Sequence, residues 1–126
     1  MENIIKSVEK ITSCKQLKIW QFGIEAVKEV YALVGTFPKE ELYGLTSQMK
    51  RAVISIPSNI AEGFKRFHNK EYRQFLFIAL GSIAELETQL IIANELSFIS
   101  KEKLNSISDK LEQISKMISS LMKKLK

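Results

Sequence analysis

Six polar residues, Gln48, Arg51, Ser55, Asn59, Glu62 and Arg66, recur at steps of 3, 4, 4, 3 and 4, the spacing that stacks side chains along one face of a helix. Ser82, Glu85 and Gln89 repeat the pattern at 3 and 4 further along. A guanidinium, carboxylates, amides and hydroxyls in such register have two uses. They form a solvated face, or they build a buried or interfacial network in which Arg51 pairs with Glu62 or Glu85 while Asn59 and Gln89 satisfy backbone groups near a proline bend. A network of this kind sets register between helices or subunits more than it adds stability, because desolvation cancels much of the attraction. It predicts that Arg51→Ala disturbs assembly more than Lys110→Ala does.

A second group lies between Gly63 and Arg73, where Lys65, Arg66, Lys70 and Arg73 accompany one acid, Glu71, and three aromatics, Phe64, Phe67 and Tyr72. Cations grip phosphates and aromatic rings stack on bases, so the mixture suits nucleic acid. The alternative is that Phe64 and Tyr72 anchor a loop to the core. Lys116, Lys123, Lys124 and Lys126 form a further basic cluster near the end of the chain, where cations also complement a helix C-terminus. The whole chain carries 19 Lys and Arg against 14 acids, a formal charge of +5, which makes contact with polyanions plausible.

Catalysis finds little to work with. His68 is the one histidine and Cys14 the one cysteine, which excludes an intrachain disulfide and a thiolate metal cage within one chain and agrees with a reducing compartment. The paired Glu-x-x-His motifs of a di-iron bundle, the P-loop and the G-x-S-x-G elbow are missing from the sequence. A hydrolase would need a pocket holding two carboxylates such as Glu62 and Glu85. The expectation is a protein that is not an enzyme and takes no cofactor and no metal.

These residues must be positioned by helices. The chain has 126 residues, 45% apolar and 26% charged, with five glycines and two prolines. That is one domain's worth of core, and the scarcity of turn residues argues against many short strands. Leu17, Trp20, Ile24, Val27, Tyr31 and Val34 form one stripe, with Ile19, Ala26, Val30, Leu33 and Phe37 beside it, predicting a helix over about 15–35 with apolar neighbours on more than one side. Gly35 and Pro38 break it. Leu45, Met49, Ala52, Ile56 and Ile60 predict a second helix within about 39–64, with Thr46 as a candidate cap and a bend at Pro57, whose missing N–H frees the Val53 carbonyl.

Asn69 is the expected cap of a third helix over about 70–97. Its stripe is Tyr72, Leu76, Ala79, Ile83, Leu86, Leu90 and Ala93, while Phe75, Phe77, Ile78, Leu80, Ile91 and Ile92 add apolar area beyond it. A lone bundle would leave some of that area wet. Ser100 caps a fourth helix over about 101–125, whose Leu104, Ile107, Leu111, Ile114, Ile118, Leu121 and Leu125 alternate by 3 and 4 as a bundle seam does. The predicted class is all-α: an up-down antiparallel four-helix bundle over about 14–126, preceded by an arm, residues 1–13, that is flexible or a short helix carrying Ile4, Ile5, Val8 and Ile11. The start lacks the apolar core and cleavage site of a secretory signal and no continuous run nears eighteen apolar residues, so the expected setting is cytoplasmic, without a membrane.

The block from Tyr43 to Gly63, YGLTSQMKRAVISIPSNIAEG, closely resembles the signature of the 23S ribosomal RNA intervening sequence proteins. Leu17 to Gln21 (LKIWQ), Phe37-Pro38 and Ala79 to Leu90 (ALGSIAELETQL) resemble the family's other blocks in the same order, and the likeness spans about residues 15 to 125. It implies a four-helix bundle that assembles as a homopentamer, with no established catalytic activity. The family is also similar to the accessory variability determinant proteins of diversity-generating retroelements, pentamers whose basic surface engages nucleic acid and the reverse transcriptase. Two departures stand out: Lys50 where an arginine is usual, and Phe-Lys-Arg-Phe-His after Gly63 where smaller residues are common.

Taken together, the expectation is a homo-oligomer that binds RNA or DNA non-specifically through Lys65, Arg66, Lys70, Arg73, Lys123 and Lys124. Arg51, Ser55, Asn59, Glu62, Glu85 and Gln89 serve as its structural or assembly network. The competing expectation is a scaffold or accessory subunit for a partner protein such as a reverse transcriptase, its positive charge serving steering or solubility.

Overall fold

The structure, a computed structural model, describes residues 11–126; the arm residues Ile4, Ile5 and Val8 lie outside them. Four helices carry the fold: α1 Lys18–Val34, α2 Leu45–Phe64, α3 Asn69–Glu95 and α4 Lys101–Lys124, with 3-10 turns at Cys14–Gln16 and Lys39–Glu41 and no strand among the described residues. Each helix packs against its neighbours in sequence, and α1 closes the ring against α4. Short connections between neighbours make the helices alternate in direction.

The core is the set of stripes turned inward. On α3, Leu76, Ala79, Ile83, Leu86, Leu90 and Ala93 are buried, and on α4 so are Leu104, Ile107, Leu111, Ile114 and Ile118. Each large aliphatic group so hidden contributes roughly 1.5–3 kcal/mol. By the end of α4, Met122 is buried and Leu121 only half so, because a straight helix drifts about 20° per heptad against a 3.5 repeat. On α1 the core stripe is Ile19, Ala26, Val30 and Leu33. Leu17, Trp20, Ile24 and Val27 are half-buried and Tyr31 is exposed, so the equally regular outer stripe faces partly to solvent.

Helix ends depart from expectation for local reasons. α2 begins at Leu45, not near 39, because Gly44 has non-helical φ −116° and ψ −111°. The Leu45 N–H is capped from outside, donating to Glu41 Oε1 at 3.3 Å, while Thr46 is buried inside the helix. α2 then runs unbroken through Pro57, which lies against Gly23 of α1: a methyl on Gly23 would stand 3.1 Å from Pro57 Cβ.

His68, not Asn69, occupies the cap position of α3, and no side chain caps it. Ser100 does cap α4, accepting from the Lys103 N–H at 3.0 Å. α3 stops at Glu95 in a Schellman arrangement, with Phe98 N–H to the Ala93 carbonyl at 2.8 Å and Ser97 N–H to the Asn94 carbonyl at 2.9 Å, and with Ser97 at φ 64°. By length and composition alone α3 would suffice to cross a bilayer; 39% of its most apolar window is buried in the bundle.

Candidate nucleic-acid interface

Alternating helix directions gather the start of α1, the end of α2, the start of α3 and the end of α4 at one end of the bundle. Among the described residues nine cations collect there: Lys15 and Lys18, Lys65 and Arg66, Lys70 and Arg73, then Lys123, Lys124 and Lys126, against the two acids Glu62 and Glu71. The opposite end sets Lys39, Lys101 and Lys103 against Glu40, Glu41, Glu95 and Glu102. Charge is thus segregated along the bundle axis. Lys65, Arg66, Lys70, Lys123 and Lys124 are exposed and Arg73 is half-buried.

The aromatics divide their work. Phe64 and Tyr72 meet edge to face, with ring centroids 6.3 Å apart, and hold the α2–α3 connection to the core. Burial of Tyr72 pushes its phenol above the ordinary value, and the nearby Cys14 adds to the shift. Phe67 is 97% exposed at the tip, which leaves it as the ring free to stack on a base. Arg66 donates from Nη2 to Glu62 Oε2 at 2.9 Å and lies 4.7 Å from the Phe75 ring centroid. Exposed pairs of this kind are worth a few tenths of a kcal/mol, so Arg66 can exchange its carboxylate for a phosphate. The Arg73 Nε is buried without a hydrogen-bond partner among the described residues.

The polar stripe of α2 assembles in part. Asn59 Nδ2 donates to both the Ser55 carbonyl and Ser55 Oγ at 2.8 Å, and Ser82 Oγ of α3 lies 2.7 Å from Ser55 Oγ. Within one chain Arg51 does not make the expected pair with Glu62 or Glu85: it is exposed and forms no salt bridge among the described residues, as its solvated-face alternative expects, while Glu62 is taken by Arg66. For Glu62 the reason is reach, since eleven residues of helix place it about 16 Å along the axis from Arg51, whereas Arg66 is one turn away. Gln89, expected to satisfy a backbone group, is buried, and its Oε1 meets no donor among the described residues.

Arg51 and Glu85 line an open groove of about 510 Å³ between α2 and α3, together with Gln48, Ala52, Ser55 and Ser82. Glu62 does not line it, so the carboxylate pair a hydrolase would need is not brought together there. Among the described residues no three His, Cys, Asp or Glu side chains gather as metal ligands, and His68 stands exposed in the loop.

Sequence reading missed Lys15 and Lys18 as members of the basic end. Their signal lies in topology: once helix directions alternate, the first helix must begin where the second ends.

A bundle of four sequentially packed helices, with a hydroxyl–amide bridge between the second and third and its described cations gathered at one end, defines the class as a helical bundle. The chain belongs to the 23S rRNA-intervening sequence protein family, whose model matches residues 15–120. A solved structure from Bacteroides thetaiotaomicron, a protein with unknown function of the S23 ribosomal protein family, shares the fold. It superposes with a TM-score of 0.75 at 22% identity, covering 83% of this chain and 98% of its own. No curated protein matches the sequence.

Proposed function

We propose that this protein is a cytoplasmic, non-enzymatic homopentamer that binds RNA or DNA with little sequence discrimination. Lys65, Arg66, Lys70, Arg73, Lys123 and Lys124 supply the phosphate contacts. The observation that carries this reading is the segregation of nine of the described cations to one end of the bundle, since a backbone polyanion is held by clustered charge rather than by base-edge readout. Five copies would bring the formal charge to about +25, and repeated weak contacts on one assembly add through effective concentration. Kinship to the accessory variability determinant proteins of diversity-generating retroelements belongs to the same proposal.

A mobility-shift titration with duplex DNA and structured RNA tests it. Retardation should weaken steeply as salt rises, and Lys65→Glu with Lys70→Glu should cost tenfold or more in affinity, while Lys101→Glu with Lys103→Glu at the far end should leave it nearly unchanged. No retardation by the wild type, or equal loss from either pair, overturns the reading.

A further inference from the structure

We infer that copies of this chain associate head to tail, the outer face of α3 on one copy seating against the shoulder formed by α1 and α2 on the next. The inference rests on the self-association proposed above and adds which surfaces meet.

Opposite its buried stripe, α3 presents Phe77, Gly81, Ala84, Thr88 and Ile91 at steps of 4, 3, 4 and 3. Phe77 is 57% exposed, Ile78 51%, Ile91 52% and Ile92 42%. A methyl added at Gly81 would meet no atom of the described residues within 4 Å, so Gly81 and Ala84 form a hollow between two bulky pairs. With Leu96, this face shows on the order of 450 Å² of apolar surface, within the roughly 300–600 Å² of the largest patch on a typical monomer, often a functional one, and over half of one partner's share in a standard interface. Its charges are all of one sign: from Gln74 to Ser100 the chain carries Glu85, Glu87 and Glu95 and no cation.

The shoulder between α1 and α2 has the complementary character. Trp20, Ile24 and Val27 are half-buried, and Tyr31 and Ile54 are exposed. On α2, Lys50 and Arg51 fall on either side of Ile54 around the helix. Lys50 Nζ sits 4.8 Å from the Tyr31 ring centroid, and Arg51 has no salt-bridge partner among the described residues. Two like faces would bring acidic rim to acidic rim, or basic to basic. Unlike faces match apolar area to apolar area and carboxylate to cation. Such a heterologous contact repeats from copy to copy, which is what a closed ring requires.

The test uses full-length chains carrying Cys14→Ser, with Ile54→Cys, Ile92→Cys or both, treated with a short bismaleimide. Both positions are exposed, so the fold is spared. The doubly substituted chain should cross-link into a ladder beyond the dimer, and co-expressed single variants should link only in unlike pairs. Dimers of Ile92→Cys with itself would mean like faces meet and would overturn the inference. Gly81→Trp, which fills open space, should reduce the mass by light scattering to that of the 14.4 kDa chain with helical circular dichroism unchanged; an unaltered multimer overturns the inference. A wild type that is itself a monomer overturns both this and the proposed self-association, whereas a multimer without the unlike-pair cross-link overturns these surfaces alone.

Discussion

The backbone of Gly63 lies so close to Tyr72 that a methyl on its α-carbon would stand 2.9 Å from Tyr72 Cδ1, and 3.0 Å from Phe75 Cβ. The end of α2 and the start of α3 can therefore approach at this distance with no side chain between them. Gly63→Ala should gain about 1 kcal/mol of helix propensity and lose more than that to overpacking, for a net loss of about 1–2 kcal/mol. Urea unfolding followed by circular dichroism measures it; an unchanged midpoint would mean the hairpin yields.

Ser97 sits at φ 64° in the turn that ends α3, a left-handed conformation that costs a non-glycine residue roughly 1 kcal/mol. Its neighbours already secure the turn, as Asn94 Nδ2 donates to the Ile99 carbonyl at 3.0 Å. Ser97→Gly should therefore stabilise the protein by about 0.5–1 kcal/mol, read as a higher thermal midpoint, despite glycine's greater freedom in the unfolded chain.

What periodicity could and could not say is clearest on α1. Its two apolar stripes are spaced equally well for a helix, and spacing alone cannot choose which turns inward; packing against Pro57 and the α4 seam chose Ile19, Ala26, Val30 and Leu33. The buried stripe of α3 was legible because its outer face is interrupted by Gly81, Glu85 and Thr88. Caps were half legible: Ser100 acts where its residue type suggests, while Asn69 is displaced by one residue into the helix. The Ser55–Ser82 bridge and the Gln89 burial could be read as a shared polar stripe. The partners could not, because they depend on the relative height of α2 and α3, a tertiary quantity absent from helical spacing.

Gln89 Oε1 is a buried acceptor with no donor among the described residues, and leaving such a group unsatisfied costs about 1–3 kcal/mol. Gln89→Met keeps the shape and removes the orphan, so it should be neutral or stabilising by about 1 kcal/mol. Ser82→Ala should do the reverse, losing about 1 kcal/mol with the 2.7 Å contact to Ser55. Chemical denaturation of both variants reads the contrast, and equal destabilisation would show that a donor reaches Gln89 in solution.

Lys110 bridges α1 and α4 by pairing with Glu29, within one chain, whereas Arg51 points outward with no salt-bridge partner among the described residues. Lys110→Ala should lower stability by at most about 0.5–1 kcal/mol, an effect that shrinks in high salt, and leave the assembled mass unchanged. Arg51→Ala should leave stability nearly unchanged and raise the monomer fraction in sedimentation velocity. Matching sedimentation profiles for the two variants would remove Arg51 from the interface.

Glu87 on α3 is pushed above the usual carboxylate range, first by partial burial and then by repulsion from Glu112 across the α3–α4 seam. A carboxyl with a raised folded pKa binds its proton more tightly in the native state than in the unfolded chain. Between the two pKa values the native state therefore holds more protons, and this group's contribution to stability falls as pH rises through that window. Above it the penalty is constant; below the unfolded value it vanishes. Glu87→Gln should accordingly raise the denaturation midpoint at pH 7 and lose that advantage as the buffer is taken down into the acid range. Because the side chain is largely solvated, the gain is small and screened by salt. A midpoint difference independent of pH would assign the effect to packing instead of charge.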